Sequence, residues 1–144
     1  MGQPACDLAA ILSERDPIHF AGRWRDADLK LRLEAIGAYR EKKRFHVHDG
    51  TVDPAAARRI LKVSADLRRR LGVKGRRDGR IEPGRLLAWA YPDRIARQRP
   101  GSPGRFLLSS GRGAFLDPSE PLRRSVRLPS SALPRSKVCP VLSP

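Results

Sequence analysis

Apolar residues recur along the first half of the chain at the spacing of one helix face, and a stretch of the second half breaks into short strand-like runs. Leu8, Ile11 and Leu12, with Ala5 and Ala9, form the first stripe; Pro4 suits the first turn of this helix and Asp16-Pro17 stops it near Arg15. Leu29, Leu33 and Ile36 form the second. Asp26 is its predicted N-cap, Asp28 sits in the first turn, and Arg40, Lys42 and Lys43 lie near the C-terminal end, as the helix dipole prefers. Between these helices residues 18–25 are predicted as a loop whose Phe20 and Trp24 cap a small core. A third helix opens at Asp53-Pro54, an N-cap followed by proline at the first helical position, after an Asp49-Gly50 turn. It runs to Leu71, buries Ala57, Ile60, Leu61, Ser64, Leu67 and Leu71, and ends against Gly72.

The second half follows another pattern. Leu86 to Tyr91 is apolar on every side, so it is either a helix buried all round or a short buried strand. Pro92 closes it, and Pro92-Asp93 opens a second short turn through Arg94, Ile95, Ala96 and Arg97. Beyond the Pro100-Gly101-Ser102-Pro103-Gly104 breaker, residues 105–110 and 114–116 read as two strands joined by a tight Gly111-Arg112-Gly113 turn. From residue 123 there is no period. Prolines at 121, 129, 134, 140 and 144, with serines and arginines, argue against regular strands and predict disorder. So abrupt a loss of pattern fits either an authentic divergent end or, the preferred expectation, a truncated or frame-shifted gene product.

Charge sharpens this picture. The 144 residues carry a formal net charge of +15, unevenly spread. Residues 1–52 hold nine Lys/Arg against eight Asp/Glu, residues 53–100 fourteen against five, and residues 101–144 seven against two. The excess begins at the third helix and favours polyanionic partners, since each neutralised phosphate releases condensed counterion. On that helix Arg58, Lys62 and Arg69 lie together opposite the apolar stripe, with Arg59 and Arg70 flanking them. Lys74, Arg76, Arg77, Arg80 and Arg85 continue the positive run towards the apolar segment at 86–91. Cys6 and Cys139, at opposite ends, make no disulfide framework. No apolar run approaches the roughly 18 residues of a membrane span, and the expected location is cytoplasmic.

Catalytic patterns are missing from the sequence. A nucleotide-hydrolysing motor needs a glycine-rich loop ending in Gly-Lys-Ser/Thr and an acidic strand end for magnesium, and neither occurs. Gly111-Arg112-Gly113 is not a dinucleotide fingerprint, because Leu116 stands where the third glycine would be. His46 and His48, with His19 elsewhere, lack the further ligands of a zinc site. Ser109, Ser110 and the histidines form no triad pattern.

Several segments nonetheless carry a family resemblance. Leu86-Leu87-Ala88, Ala90 to Arg97, Arg105 to Ser109 and Gly111 to Ala114 resemble, in order and spacing, the segment that opens the oligonucleotide-binding-fold (OB) region of HrpB-type ATP-dependent helicases, relatives of the DEAH-box RNA helicases. Asp7 to Pro17 is similar to the helix that begins the helicase-associated helical domain of that family, and Asp26 to Ile36 to its next helix. The resemblance covers roughly residues 5–122 and omits the motor domains. It implies a mainly α chain: a small helical bundle, the helicase-associated domain, over residues 1–81; an incomplete OB-like hairpin segment over 82–122; and a disordered tail over 123–144. It implies binding of single-stranded RNA or DNA, helicase motor domains as partners, and no membrane. No cofactor is expected in this chain, since ATP and magnesium belong to the motor domains of the parent family. Arg94, Arg97, Arg105 and Arg112 are the leading phosphate-binding candidates, and the Arg58, Lys62 and Arg69 face comes second. The competing reading is a small basic helical protein that docks on an acidic partner through the same surface. Either way the purified chain should show no ATP hydrolysis above background, with or without RNA; turnover that survives repurification would refute the absence of a motor.

Overall fold

The computed structural model describes residues 2–21, 26–43, 50–74, 82–118, 123 and 127–129, and the three N-terminal helices form near where the apolar spacing puts them. They are α1 (Gly2–Ser13), α2 (Leu29–Arg40) and α3 (Pro54–Arg70). Ala10 and Ile11 of α1, Ile36 of α2, and Ala57 and Ile60 of α3 make their shared core, with Leu29, Leu33, Tyr39, Val52, Leu61 and Val63 packed around it.

The face that α1 buries differs from the expected one. Cys6, Asp7 and Ala10 turn inward with Leu8 and Ile11, whereas Ala9 and Leu12 are exposed. Asp7 accounts for the rotation. Its Oδ1 accepts a hydrogen bond from Nη2 of Arg40 on α2 at 2.7 Å and one from the Ser64 hydroxyl on α3 at 2.5 Å. A carboxylate enters a helical interior only when its charge and lone pairs are answered there, and here both neighbouring helices answer them. Arg32 of α2 is a similar case: it is buried, donates to Asp16 Oδ2 at 2.7 Å and lies over the Phe20 ring.

Three local expectations in this half of the chain need correction. Asp26 does not cap α2, which starts three residues later; the Asp26 carboxylate instead accepts the Asp28 N–H in a tight turn. Residues 18–20 are not loop but β1 (Ile18–Phe20), paired antiparallel with β2 (Gly50–Val52) so that Ile18 faces Val52. Ile18 is buried at that pairing, and the Asp53 N–H extends it to the Pro17 carbonyl. Leu71, placed in the stripe of α3, is 69% exposed. The ends of α3 otherwise follow the sequence closely. Asp53 accepts the Ala55 N–H at 2.8 Å ahead of Pro54. Gly72 donates its N–H to the Arg69 carbonyl, and its φ of +61° turns the chain so that the Val73 N–H reaches the Arg68 carbonyl. Trp24, His46, His48, Arg76, Arg77, Arg80 and Cys139 lie outside the described residues.

Backbone contacts divide the chain into two units, residues 1–23 with 29–83, and residues 24–28 with 84–144. The second contains α4 (Pro83–Ala90) from Gly84 onward, a 3-10 turn (Pro92–Arg94), and a four-stranded antiparallel sheet in the order β5-β4-β3-β6. The strands are β3 (Ile95–Gln98), β4 (Arg105–Leu108), β5 (Gly113–Phe115) and β6 (Arg127–Pro129). Ala96, Phe106, Leu108, Ala114 and Leu116 form its core.

Here too the structure departs from the sequence reading. Residues 86–90 are helical, but the helix is not buried all round: Leu87 is its buried residue, and Trp89 is 57% exposed. The proline turn ends at Arg94, and Ile95 to Gln98 continue as strand because they pair on one side with β4 and on the other with β6. Residues 127–129 therefore form a strand, although the prolines argued against one. Pro129 is tolerated because β6 is an edge strand, where a missing N–H need not break a ladder. β6 thereby covers the β3 edge. The rest of the predicted disordered tail, residues 124–126 and 130–144, lies outside the described residues. The β4–β5 turn is also shifted: Ser109, Ser110 and Gly111 form it, Gly111 at φ +84°, with hydrogen bonds from the Gly111 N–H to the Leu108 carbonyl and from the Leu108 N–H to the Arg112 carbonyl. Arg112 stands at the foot of the turn, not its tip.

Two outcomes follow from these interactions. Replacing Asp7 by Ala should cost about 3 kcal/mol in chemical denaturation, because it leaves Arg40 and Ser64 without their shared acceptor inside the bundle. The Ala55 N–H, helped by His19 at 3.6 Å, holds the Asp53 carboxyl below its ordinary value. A depressed folded value means that this contribution is fully present above about pH 4 and disappears as pH falls through the folded value. Asp53→Ala should accordingly flatten the acid limb of helix loss followed by circular dichroism.

Candidate nucleic-acid interface

The sheet sorts its residues by the two-residue period of a strand. On β3 Ala96 is buried and Arg97 exposed; on β4 Phe106 and Leu108 are buried while Arg105 and Leu107 are exposed. The register makes Arg97 the partner of Leu107 and Leu107 the partner of Gly113, with Arg105 opposite Phe115. Arg97, Arg105, Leu107 and Phe115 consequently share the outward face, and Arg97 and Arg105 are diagonal neighbours on adjacent strands. Leu107 and Phe115 are 42% and 40% exposed. On the other side of β3, Arg97 is the backbone partner of Arg127. This face joins cations to exposed apolar surface, the combination on which single strands lie.

Of the four leading candidates, then, the fold brings Arg97 and Arg105 together. Arg94 does not share their arrangement, because the chain changes from turn to strand between Arg94 and Arg97. Its guanidinium sits over the Tyr91 ring, 5.5 Å from the centroid, with Asp93 Oδ2 at 3.9 Å. Arg112 is exposed where the backbone enters β5. From residue 84 to 118 six arginines (85, 94, 97, 99, 105 and 112) stand against two aspartates (93 and 117), so the unit stays strongly basic. Arg123 has a different role. It reaches the Pro103 carbonyl through Nη2 at 3.2 Å, and its own carbonyl accepts Gln98 Nε2 at 3.0 Å, which ties the β3–β4 turn down. Gly104, at φ +82°, faces the Arg123 side chain, and any Cβ there would run into it.

The second candidate face lies on the other unit. Arg58 and Lys62 are exposed on α3 with no ion pair among the described residues. Arg69 donates to Asp66 at 2.7 Å and flanking Arg59 approaches Glu14 at 3.8 Å, both exposed pairs of small worth.

Sequence reasoning missed the aromatic part of the surface. Trp89 and Tyr91, expected in a buried segment, are both exposed, each with an arginine beside its ring. The available signal was Arg85 and Trp89 at i, i+4, which a helix brings side by side. Among the described residues no group of three His, Cys, Asp or Glu side chains could hold a metal, and no helix is long and apolar enough to cross a membrane.

No family model matches the chain. Among curated proteins, 61 of its residues, 42% of its length, are 44% identical to the ATP-dependent RNA helicase HrpB of Escherichia coli strain K12, and the match covers 7% of that protein. Among solved structures, the crystal structure of the E. coli DExH-box NTPase HrpB superposes on 87% of the chain with a TM-score of 0.59 and 30% identity, over 12% of the helicase. The chain thus spans about a tenth of the length of the proteins it matches. In sequence and in fold alike, it is related to HrpB-type helicases and corresponds to a part of one.

Proposed function

We propose that this chain is an accessory part of an HrpB-type ATP-dependent RNA helicase that binds single-stranded RNA or DNA without sequence preference, with the ATPase chemistry residing in motor domains outside it. Its helical unit corresponds to the helicase-associated domain and its sheet to the start of the OB region. The observation that carries the reading is the outward sheet face, where Arg97 and Arg105 sit diagonally beside exposed Leu107 and Phe115. Phosphates would take the guanidinium groups. Unstacked bases would cover the apolar side chains, and neither interaction reads sequence. Arg94, just ahead of β3, and Arg112, just ahead of β5, extend the charge, and the Arg58, Lys62 and Arg69 face of α3 is the secondary surface.

The test is fluorescence anisotropy on several unrelated single strands across a range of salt. Arg97→Ala with Arg105→Ala should weaken all of them by similar factors and lower the salt slope by roughly 1.4, about 0.7 for each phosphate of a single strand that is no longer neutralised. The same titration on Arg58→Ala with Lys62→Ala measures the α3 face. A sheet-face double variant that binds every strand as wild type does at each salt concentration would remove the sheet from the interface, and tight binding to an acidic protein but to no strand would favour a protein partner.

A further inference from the structure

We infer that Trp89 and Tyr91 are stacking platforms for unpaired bases, each with its own arginine placed to hold the adjoining phosphate; the inference rests on the single-strand reading above. Trp89 lies two residues beyond Leu87 on α4, about 200° round the helix, so that burying Leu87 turns the indole away from the core. The indole is 57% exposed, and Arg85, one turn earlier, holds its guanidinium 5.4 Å from the ring centroid. Tyr91 follows the end of the helix at 43% exposure with the Arg94 guanidinium at 5.5 Å.

Guanidinium–aromatic pairs of consequence occur about once in 70–80 residues, and here two exposed ones fall between Arg85 and Arg94. The remaining pair among the described residues, Arg32 with Phe20, is of another kind, since Arg32 is buried and fastened to Asp16. Arg85 has no carboxylate among the described residues, and that of Arg94 is at the limit of an exposed ion pair. Both cations remain available to an anion. An acidic protein would engage the guanidinium groups and leave the rings as they are. A single strand uses both parts, a base on the open side of the ring and its phosphate on the cation, and its charge complements the surplus of arginines in this unit.

Stacking and phosphate binding separate experimentally. The probes are labelled oligo-dT of about 12 nucleotides and an abasic strand with the same number of phosphates. Wild type should bind the base-bearing strand more tightly. Trp89→Ala should lose about 5- to 150-fold on oligo-dT, the worth of one stacked base, leave abasic binding unchanged and keep the salt slope, because every phosphate keeps its cation. Trp89→Phe should recover most of the loss, and Tyr91→Ala should behave as Trp89→Ala does. As both rings are exposed, circular dichroism should not change. If wild type binds both strands equally, or Trp89→Ala binds oligo-dT as wild type does, the stacking inference is overturned while the single-strand reading stands. If wild type binds neither strand, both fall.

Discussion

The helical unit depends on one buried carboxylate. Asp7 stands inside the bundle and accepts from Arg40 and Ser64, so a single side chain fixes the rotation of α1 against two helices at once. Apolar packing alone would not do this. Leu8, Ile11 and Leu12 can be packed in more than one rotation, and Ala5 and Ala9 offer little area to decide between them, whereas an unanswered buried charge admits only the arrangement that answers it. The result places Leu12 in solvent and Cys6 in the interior. It also commits Arg40 to structure, so that this cation of α2 does not join the binding surface.

In the second unit the corresponding constraint is the alternation of the strands. Once Ala96, Phe106, Leu108 and Ala114 are committed to the core, Arg97, Arg105, Leu107 and Phe115 have no choice but the opposite face. The candidate interface is therefore the obligatory reverse side of the hydrophobic core. A one-residue slip in register would bury arginines and dissolve core and interface together.

How far this was legible depends on the length of the signal. The third helix has an N-cap, a proline, a long apolar stripe and a terminal glycine, and its ends were readable to within a residue. Leu8 and Ile11 identified α1 but not its rotation, because the deciding partners of Asp7 are far away in sequence. Ile95 to Gln98 is too short to show a period, so the proline before it dominated the reading and Arg94 and Arg97 were set on one helical turn. At residues 105–108 the alternation is in the burial and not in the sequence: Arg105 is a polar residue ahead of the apolar run Phe106-Leu107-Leu108, so Arg105 was readable as outward but exposed Leu107 was not. Trp89 was misplaced for a simpler reason: hydrophobicity says that a side chain gains from burial, not that burial occurs.

The pairing of β6 with β3 bears on how the chain folds. β3, β4 and β5 join through short turns, but Pro129 must return to Ile95 across the whole of that meander, at a larger cost in loop-closure entropy. The fourth strand is then the last to add. On the ribosome the meander can form while the segment that will protect it is still unmade, so the β3 edge is offered to any neighbouring nascent chain until residues 127–129 emerge. Pro129, a residue poorly suited to strands, ends up as part of what closes that window.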